Sequence, residues 1–476
     1  MKERMVFMKE RIIKLLNLIV KVSFVFSFFA ILFILLKMNM FPTQYIVIYC
    51  VICSIILIFD FLSDFILKKF IFKIISIIIS LIFIIINLII YIYLIKTDGF
   101  INSLQNNNIL ETFYVAVLSD SDYNEISDLN NLKIGTLYSN DESYSIISDN
   151  IKDEINYEEV YYENLFAICT DLKLGNTNAI ILSEQNKKMI EENDALTTSL
   201  KYIYTIKVKA RVNVTAKKID VTKDPFIVYI SGIDTDGEIS NVSRSDVNIL
   251  AIVNPNNRKI LLVTIPRDYY VLLHGTTGPR DILTHAGLYG VDMSITTIED
   301  LLGIDINYYI RLNFSTLIKA VDIIGGIDVY SEFDFNTYGY QFYKGYNTVN
   351  GEYALAYSRA RKNFEGGDRQ RGKNQLHVIE AMVKKVSTSN VILNKYLSIL
   401  EGLKGTFQTN FDSKSIYALV RMQLSDMSEW NIEEYSLDGA NGRDYTYSLG
   451  DIIAFVMEPD YNTVNTAKDK IKEMMQ

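Results

Sequence analysis

Three long apolar runs occupy most of the first hundred residues of the chain. They extend over Leu15–Leu36, Phe41–Phe59 and Ile74–Ile95, and each is close to the ~20 residues that an α-helix needs to cross a bilayer. Lys21 interrupts the first run near its start, where a long side chain can reach the interface. A cleaved signal peptide is the alternative for that run, but the apolar segment is too long and no small-residue cleavage site follows. The pattern therefore predicts a multi-pass membrane anchor of three helices in residues 1–97.

Basic residues flank these runs unevenly, which predicts the orientation of the anchor. Five precede the first run and three lie between the second and third, whereas Lys37 alone lies between the first and second. Loops rich in lysine and arginine stay in the cytoplasm, so we expect a cytoplasmic N-terminus. An odd number of spans then places everything after about Lys96 outside the cell.

A small accessory domain is predicted in residues 98–221. The polar stretch "KTDGFINSLQNNN" is typical of a linker. The runs "TFYVAVL" and "NLKIGTL" have strand character, and "NAIILSEQNKKMIEEN" reads as a strand that continues into a helix. This pattern indicates an α/β domain, and no catalytic motif is visible in it.

A larger domain is predicted in residues 222–476. The runs "FIVYISGID", "VNILAIVN" and "KILLVTIPRD" are almost continuously apolar, as in strands that are buried on both faces of a sheet. Helical spacing of apolar residues follows in "LNFSTLIKAVDIIGG", and a longer helix is predicted from Gln370. The expected fold class is α/β, with a three-layer α/β/α domain around a central mixed sheet.

Charge separates the two parts of the chain. Residues 1–96 carry a net charge of +7, whereas the remaining residues carry −16. A strongly acidic outer part argues against general binding of nucleic acid, which needs a basic face. Cys50 and Cys53 lie inside the second apolar run and Cys169 is the third and last cysteine, so we expect the outer domains to be stabilised by their cores and not by disulfides.

Charged residues stand where the predicted strands of the larger domain begin or end. Asp234 follows the first strand, Arg244 and Asp246 precede the second, and Arg267 follows the third. Open α/β sheets bind ligands at such an edge. The two aspartates are also compatible with turns and caps, but beside phosphate oxygens they would suit Mg²⁺.

A second basic cluster lies in "SRARKNFEGGDRQRGKNQ". Arg359 and Arg361 end a short helix, and Arg371 lies in the first turn of the next one. Cations are disfavoured at a helix N-terminus unless an anion is bound there. Solvated arginines that pair with nearby acids are the alternative, but so many arginines at element ends predict a diphosphate site, since guanidinium groups bind phosphate oxygens in pairs.

These motifs together resemble the LytR-CpsA-Psr family of cell-wall assembly enzymes. The similarity rests on "GIDTDG…SRSDVNILAIVNPNNRKILLVTIPRDYYV", "LTHAGLYG", "YYIRLNFSTLIKAVDIIGGIDV" and "YALAYSRARKNFEGGDRQRGKNQ". Three predicted spans and an accessory domain are similar to the capsule-linked members from low-GC Gram-positive bacteria. The resemblance implies an extracellular phosphotransferase that moves a glycopolymer, such as teichoic acid or capsule polysaccharide, from a polyprenyl diphosphate carrier to peptidoglycan.

The resemblance also implies roles for particular residues. The diphosphate would be bound by five arginines and a glutamine: Arg244, Arg267, Arg359, Arg361, Arg371 and Gln375. Asp234 and Asp246 would coordinate Mg²⁺ and one of them would act as general base, while the lipid would lie in an apolar pocket between sheet and helices. Arg369 has no implied role.

Two other classes of function were weighed. A non-catalytic binder of polyprenyl phosphates or anionic glycans would need the arginines but not the two aspartates. A DNA-binding regulator disagrees with the acidic charge and with the predicted position of the basic cluster outside the cell.

Overall fold

The computed structural model describes residues 2–67, 70–104, 108–138, 142–194, 196, 199–211, 214–233, 243–388 and 401–476. The chain divides into two compact units. The first contains residues 1–103 and 412–428, and the second contains residues 104–411 and 429–476. Asp234 and its neighbour Asp236 lie outside the described residues.

Three N-terminal helices are long and apolar enough to cross a membrane, which confirms the prediction of three apolar helices. Their bounds are Lys2–Met38 (α1), Thr43–Leu62 (α2) and Phe70–Ser103 (α3). The third helix continues to Ser103, so the polar stretch predicted as a linker begins as helix. Because helical backbone satisfies its own hydrogen bonds, a helix can extend past the apolar run into polar surroundings without loss.

Polar side chains join the three helices to one another. Lys21 forms an ion pair with Asp64 and donates a hydrogen bond to the backbone oxygen of Asp60, 3.0 Å away. The carboxylate of Asp60 is buried and accepts hydrogen bonds from Ser76 and from Ser80, the latter at 2.9 Å. Two acidic residues, one in the second span and one in the turn after it, thus offer partners to Lys21. Its extension to the interface stays a prediction.

The accessory domain is a five-stranded mixed sheet with strand order β3-β2-β4-β1-β5. Its strands are Asn108–Leu118 (β1), Lys133–Leu137 (β2), Glu158–Tyr162 (β3), Ala179–Ser183 (β4) and Leu200–Arg211 (β5). Its helices are Glu142–Glu154 (α4), Leu165–Leu174 (α5) and Glu184–Glu192 (α6). The predicted α/β character is present, and β4 runs directly into α6 as the sequence indicated.

The larger domain is built on a six-stranded mixed sheet of order β16-β11-β6-β7-β8-β17. Its strands are Phe226–Ile233 (β6), Ser245–Asn254 (β7), Lys259–Thr264 (β8), Tyr308–Asn313 (β11), Phe407–Thr409 (β16) and Asn431–Ser436 (β17). Other strands form separate pairs: Tyr270–Val271 (β9), Asp281–Ile282 (β10), Ile327–Ser331 (β12), Phe335–Thr337 (β13), Tyr340–Phe342 (β14), Gly345–Val349 (β15), Gly439–Thr446 (β18) and Gly450–Pro459 (β19).

Helices cover both faces of this sheet. The helices that follow α6 among the described residues are Leu283–Ala286 (α7), Val291–Leu302 (α8), Phe314–Ile323 (α9), Gly351–Arg359 (α10), Asp368–Thr388 (α11), Ser413–Asp426 (α12) and Tyr461–Met474 (α13). Of these, α12 belongs to the first compact unit and not to this domain. On one face α8 and α13 pack over a core that contains Ile252, Leu261 and Val464. On the other face α11 contacts β7, β8 and β17, and α9 contacts β11. The α/β/α layering predicted from the continuous apolar strands is present.

The helix α12 packs with the membrane helices, although the sequence boundaries placed it in the larger domain. Tyr417 is buried there among Leu94 and Ile101 of α3. Its hydroxyl group donates to the carboxylate of Asp98 at 2.7 Å, and Arg421 donates to the side-chain oxygen of Asn39 at 2.6 Å. A single apolar helical face gives no indication in sequence of which core it joins.

Candidate functional site

A cavity of about 530 Å³ lies between the sheet and the helices α9, α10 and α11. One face of α11 lines it, with Arg371 and Gln375 near the start of the helix and Ile379 and Met382 farther along. Arg371 and Met382 are roughly 16 Å apart along a helix axis. The cavity therefore changes from charged to apolar over the length that a diphosphate and the first part of a hydrocarbon chain would occupy.

Sheet topology explains why the charged residues meet at one end. Strand β7 is antiparallel to both β6 and β8 and lies between them. The first residues of β7 and the last residues of β6 and β8 therefore share one edge, which places Asp246 beside Arg267. Strands β6 and β8 thus have the same direction without being neighbours.

The charged end of the cavity, which we call the arginine mouth, is formed by Asp246, Arg267, Arg359, Arg361 and Arg371. The apolar end includes Ile230, Val247, Leu312, Leu317, Ala320, Val378, Ile379 and Met382. Pockets of this kind, apolar with a few convergent polar groups, are typical ligand sites.

Arg267 lies at the centre of an ion cluster in the arginine mouth. One of its terminal nitrogens lies 2.9 Å from Oδ1 of Asp246, and its Nε lies 3.4 Å from Oδ1 of Asp268. Thr284 also donates to Oδ1 of Asp246, at 3.1 Å. Burial alone would lower the pKa of Arg267, but the neighbouring carboxylates raise it above its ordinary value. Arg267 is therefore cationic at any physiological pH.

The two aspartates of the cluster differ in their electrostatics. Burial raises the pKa of Asp246, but Arg267, Arg371 and Arg244 outweigh it and hold the pKa below its ordinary value. Burial raises the pKa of Asp268, and the arginines do not fully offset it. An ionised Asp246 is suited to binding a cation, because it remains negative near a bound phosphate.

Arg371 forms an ion pair with Asp368, the first residue of α11. Burial lowers the pKa of Arg371. The carboxylate of Asp368 interacts favourably with the positive N-terminal end of the helix dipole. The arginines in this first turn are therefore less unfavourable than the sequence indicated. The helix begins at Asp368, two residues before the predicted Gln370.

Arg359 and Arg361 differ from the other arginines, because neither has a carboxylate partner among the residues that the structure describes. Both line the cavity. Gln375 also lines it and donates a long hydrogen bond of 3.4 Å to the backbone oxygen of Ser358. These two guanidinium groups are therefore available for an anionic ligand.

Two arginines of the sequence cluster do not line the cavity. Arg244 forms an ion pair with Glu192, at the end of α6 in the accessory domain, at 3.0 Å. Arg369 forms an ion pair with Asp438 and donates to the backbone oxygen of Gly439. An acidic residue of the accessory domain thus holds the side chain of Arg244, which sequence proximity could not reveal. Its contact with a diphosphate stays a prediction.

The glycine pair between the two arginine groups does not create a close approach. A side chain at Gly366 would meet its nearest neighbour only at 3.8 Å. Gly367 has a φ of +50°, and this left-handed conformation is the feature that favours glycine. The pair therefore shapes the loop and does not bring the backbone against a ligand.

The residues that sequence reasoning left without a role include Asp268, Asp368, Phe314 and Tyr338. The two aspartates were visible as neighbours of arginines in "IPRD" and "GGDRQR", and this adjacency was the available signal. Phe314 and Tyr338 line the cavity, but no periodic pattern distinguishes them from core aromatics.

His285 and His377 have structural positions. Nδ1 of His285 lies 2.7 Å from Oδ1 of the fully buried Asp281. Burial lowers the pKa of His377, and its Nε2 lies 3.7 Å from Oε2 of Glu434. Neither histidine lines the cavity.

A magnesium ion was predicted between Asp234 and Asp246, and the described residues fit such an ion in part. No group of three metal-binding side chains occurs among them. Mg²⁺ often uses only one or two carboxylates and takes its remaining ligands from phosphate and water. Asp246 is ionised and lies at the arginine mouth, which suits that donor set, while Asp234 lies outside the described residues.

Fold and site define a protein with three apolar helices and a larger α/β/α domain, in which an arginine mouth joins an apolar cavity. The sequence profile of the LytR_cpsA_psr family matches residues 184–470, which is more than half of the chain. The chain belongs to this family, and the resemblance found in the sequence is confirmed.

Relatives of the chain include transferases of teichoic acid. The chain is 39% identical over 202 residues to a polyisoprenyl-teichoic acid–peptidoglycan teichoic acid transferase TagU from Enterococcus faecalis, covering 41% of this chain and 66% of that protein. A protein of the same name from Bacillus mycoides is 33% identical over 217 residues, covering 45% of this chain and 69% of that protein. The chain thus spans about two thirds of the length of these relatives.

Among solved structures, the crystal structure of B. subtilis TagV is similar to this chain. The identity is 29% and the TM-score 0.44, and the match covers 53% of this chain and 98% of that one.

Proposed function

We propose that the chain is a glycopolymer transferase that works on the outer face of the cell membrane. It would transfer a polymer such as teichoic acid or capsule polysaccharide from a polyprenyl diphosphate to peptidoglycan. The observation that carries the proposal is the single cavity in which an arginine mouth continues into an apolar end. The family and the names of the relatives TagU support the same reaction.

The arginine mouth would bind the diphosphate. Arg359 and Arg361, which have no carboxylate partner in the described part of the chain, would donate to its oxygens. Arg267 and Arg371 would add positive charge to the site, since both line the cavity and are mostly buried and cationic. Fixed cations in a site that excludes water stabilise the charge that builds up on phosphate oxygens during transfer.

The reaction would proceed by displacement at phosphorus. A hydroxyl oxygen of peptidoglycan forms a bond to the phosphorus that carries the glycopolymer, as the bond from that phosphorus to the bridging oxygen breaks. Polyprenyl phosphate leaves, and the hydroxyl proton passes to a carboxylate at the site. Asp246, together with Asp234 outside the described residues, would hold Mg²⁺, which would neutralise diphosphate charge when bound.

The orientation belongs to the same proposal. Five basic residues precede the first span and three lie between the second and third, which favours a cytoplasmic N-terminus. With three spans, the outer domains would face peptidoglycan, and the anchor would keep the cavity near its lipid-borne donor.

The test is a transfer assay with the full chain in detergent, a polyprenyl diphosphate-linked polymer, peptidoglycan fragments and Mg²⁺. Arg361→Ala should weaken retention of the donor about 10- to 100-fold, because a hydrogen bond to a charged group contributes about 1.5–3 kcal/mol. Asp246→Asn should retain the donor but lose most of the transfer. Arg369→Ala, an arginine that pairs outside the cavity, is the matched control and should behave like the unmodified protein.

Three outcomes would count against parts of this proposal. Unchanged transfer by Asp246→Asn would exclude the roles given to that carboxylate. Equal effects of Arg361→Ala and Arg369→Ala would exclude a specific anion site in the cavity. Retention of the donor by the unmodified protein without any transfer would favour the non-catalytic binder.

A further inference from the structure

The turn between β13 and β14 has an unusual residue at its tip. Thr337 and Tyr340 pair across the hairpin, so Tyr338 and Gly339 form a two-residue turn. Their φ angles are +49° and +81°, as in a type I′ turn, where asparagine or aspartate normally stands first. A bulky aromatic residue in this conformation is strained by roughly 1–2 kcal/mol. Strain that persists in one residue is a reason to look for its function.

The ring of Tyr338 lies against an arginine of the arginine mouth. The guanidinium carbon of Arg359 is 5.3 Å from the centre of the Tyr338 ring and 4.5 Å from the centre of the Phe314 ring. Tyr338 is otherwise 62% exposed, so core packing does not explain its presence. The guanidinium is thus within cation–π distance of two aromatic rings that belong to different elements.

The ring of Phe314 is attached to a capped helix start. Phe314 is the first residue of α9, directly after the capping residue Asn313. The side chain of Asn313 accepts hydrogen bonds from the backbone nitrogen and the hydroxyl group of Thr316, at 2.9 and 2.8 Å. The cap fixes the start of α9, so the ring of Phe314 has a defined position beside Arg359.

Contact with aromatic rings leaves the hydrogen-bond donors of a guanidinium available. Such rings stack on the face of the planar group, whereas its N–H donors point outward in the plane. Arg359 has no carboxylate partner in the described part of the chain and lines the cavity. Fixing a long side chain before a ligand arrives reduces the ordering cost of binding.

We propose that Tyr338 is a positioning residue that, with Phe314, holds the guanidinium of Arg359 in place for the diphosphate of the donor. The inference rests on the proposed function and extends it to the hairpin. Tyr338 thereby contributes to the affinity for the diphosphate through Arg359, and its backbone strain is tolerated for that reason.

The substitution Tyr338→Asn separates this role from a structural one. Asparagine is well suited to the left-handed conformation, so the hairpin should be as stable as before or more stable. The ring over Arg359 is lost, and a cation–π contact contributes about 1–2 kcal/mol when partly desolvated. We therefore expect affinity for geranylgeranyl diphosphate to fall about 5- to 30-fold while the unfolding temperature does not fall.

Two further variants serve as controls. Tyr338→Phe keeps the ring and should keep the affinity. Tyr343→Asn removes a tyrosine that is 65% exposed on the same hairpin segment but does not line the cavity, and it should also leave the affinity unchanged. In the transfer assay Tyr338→Asn should raise KM for the donor with little change in kcat, because Arg359 would bind the diphosphate before and during transfer alike.

The outcomes distinguish this inference from the proposed function. If the unmodified chain binds geranylgeranyl diphosphate and Tyr338→Asn binds it equally well, the positioning role is wrong and the proposed function stands. A loss of affinity in Tyr338→Phe as large as in Tyr338→Asn would also overturn it. If the unmodified chain does not bind the diphosphate at all, both fall.

Discussion

Filling the apolar end of the cavity should separate recognition of the lipid from recognition of the diphosphate. Ala320 lies on α9, two turns from Phe314, and lines the cavity with Leu317. The substitution Ala320→Phe projects a phenyl ring into the space where the hydrocarbon chain would lie. The arginine mouth is left intact, since no charged residue is changed.

The expected loss follows from the hydrocarbon that is displaced. A phenyl ring takes about the space of one isoprene unit, or about five carbon atoms, and burial of each contributes about 0.8 kcal/mol. The upper limit is therefore about 4 kcal/mol. Because the cavity of about 530 Å³ leaves part of the chain free to shift, we expect about 2–4 kcal/mol, which is roughly a 30- to 1,000-fold loss of affinity.

Two probes measured on the full chain in detergent test this expectation. Binding of geranylgeranyl diphosphate should weaken by the stated factor, whereas binding of dimethylallyl diphosphate, whose chain is a single isoprene unit, should change only slightly. Lys319→Phe is the matched control, because it places the same ring on the exposed side of the same helix. Equal losses for the two probes, or an equal effect of the control, would refute the placement of the lipid in this cavity.

Two other predictions concern stability away from the cavity. Asp281 is fully buried, with an oxygen 2.7 Å from Nδ1 of His285, so Asp281→Ala should lower the free energy of unfolding by about 3–5 kcal/mol. The control is Asp300→Ala, which breaks the exposed pair with His274 at the same distance and should lower the free energy of unfolding by less than about 1 kcal/mol. A comparable loss from both substitutions in thermal unfolding would contradict this. Burial and neighbouring carboxylates raise the pKa of Glu434 from 4.5 to about 7, so its ionisation should reduce stability as pH rises from about 4.5 to about 7, by up to about 3 kcal/mol. Glu434→Gln should flatten that pH dependence, and an unchanged slope would show that Glu434 does not cause it.

Much of the architecture could be predicted from the sequence, because each helix or strand follows a local rule. The membrane runs are long enough to leave no other helical interpretation, and three helices of that kind are present. The strands β6, β7 and β8 are apolar on both faces, which indicated a sheet between two helical layers. The C-terminal strands β18 and β19 were not predicted. Strand β18 is mostly polar and exposed, whereas β19 contains the apolar run Ile452–Met457, which was an available signal.

For the candidate site, the sequence predicted which residues take part but not which partner each side chain has. Arg267, Arg359, Arg361 and Arg371 were identified from their positions at element ends, and all four line one cavity. Arg244 has the same kind of position in sequence but pairs with Glu192 of the accessory domain. Motif spacing reports which residues approach the edge of the sheet, but the partner of each side chain depends on elements that are distant in sequence.

The sequence by itself determined the membrane helices, the α/β/α order, the family and the arginines of the mouth, because apolar periodicity and motif spacing are local properties. Tertiary structure alone decided that β7 lies between β6 and β8, that Lys21 pairs within the helix bundle, and that α12 packs on α3. It also decided that the rings of Tyr338 and Phe314 both lie close to the guanidinium of Arg359, since residues far apart in the chain meet only when the sheet and its helices close around the cavity. These contacts between distant segments depend on register and packing, which no single segment encodes.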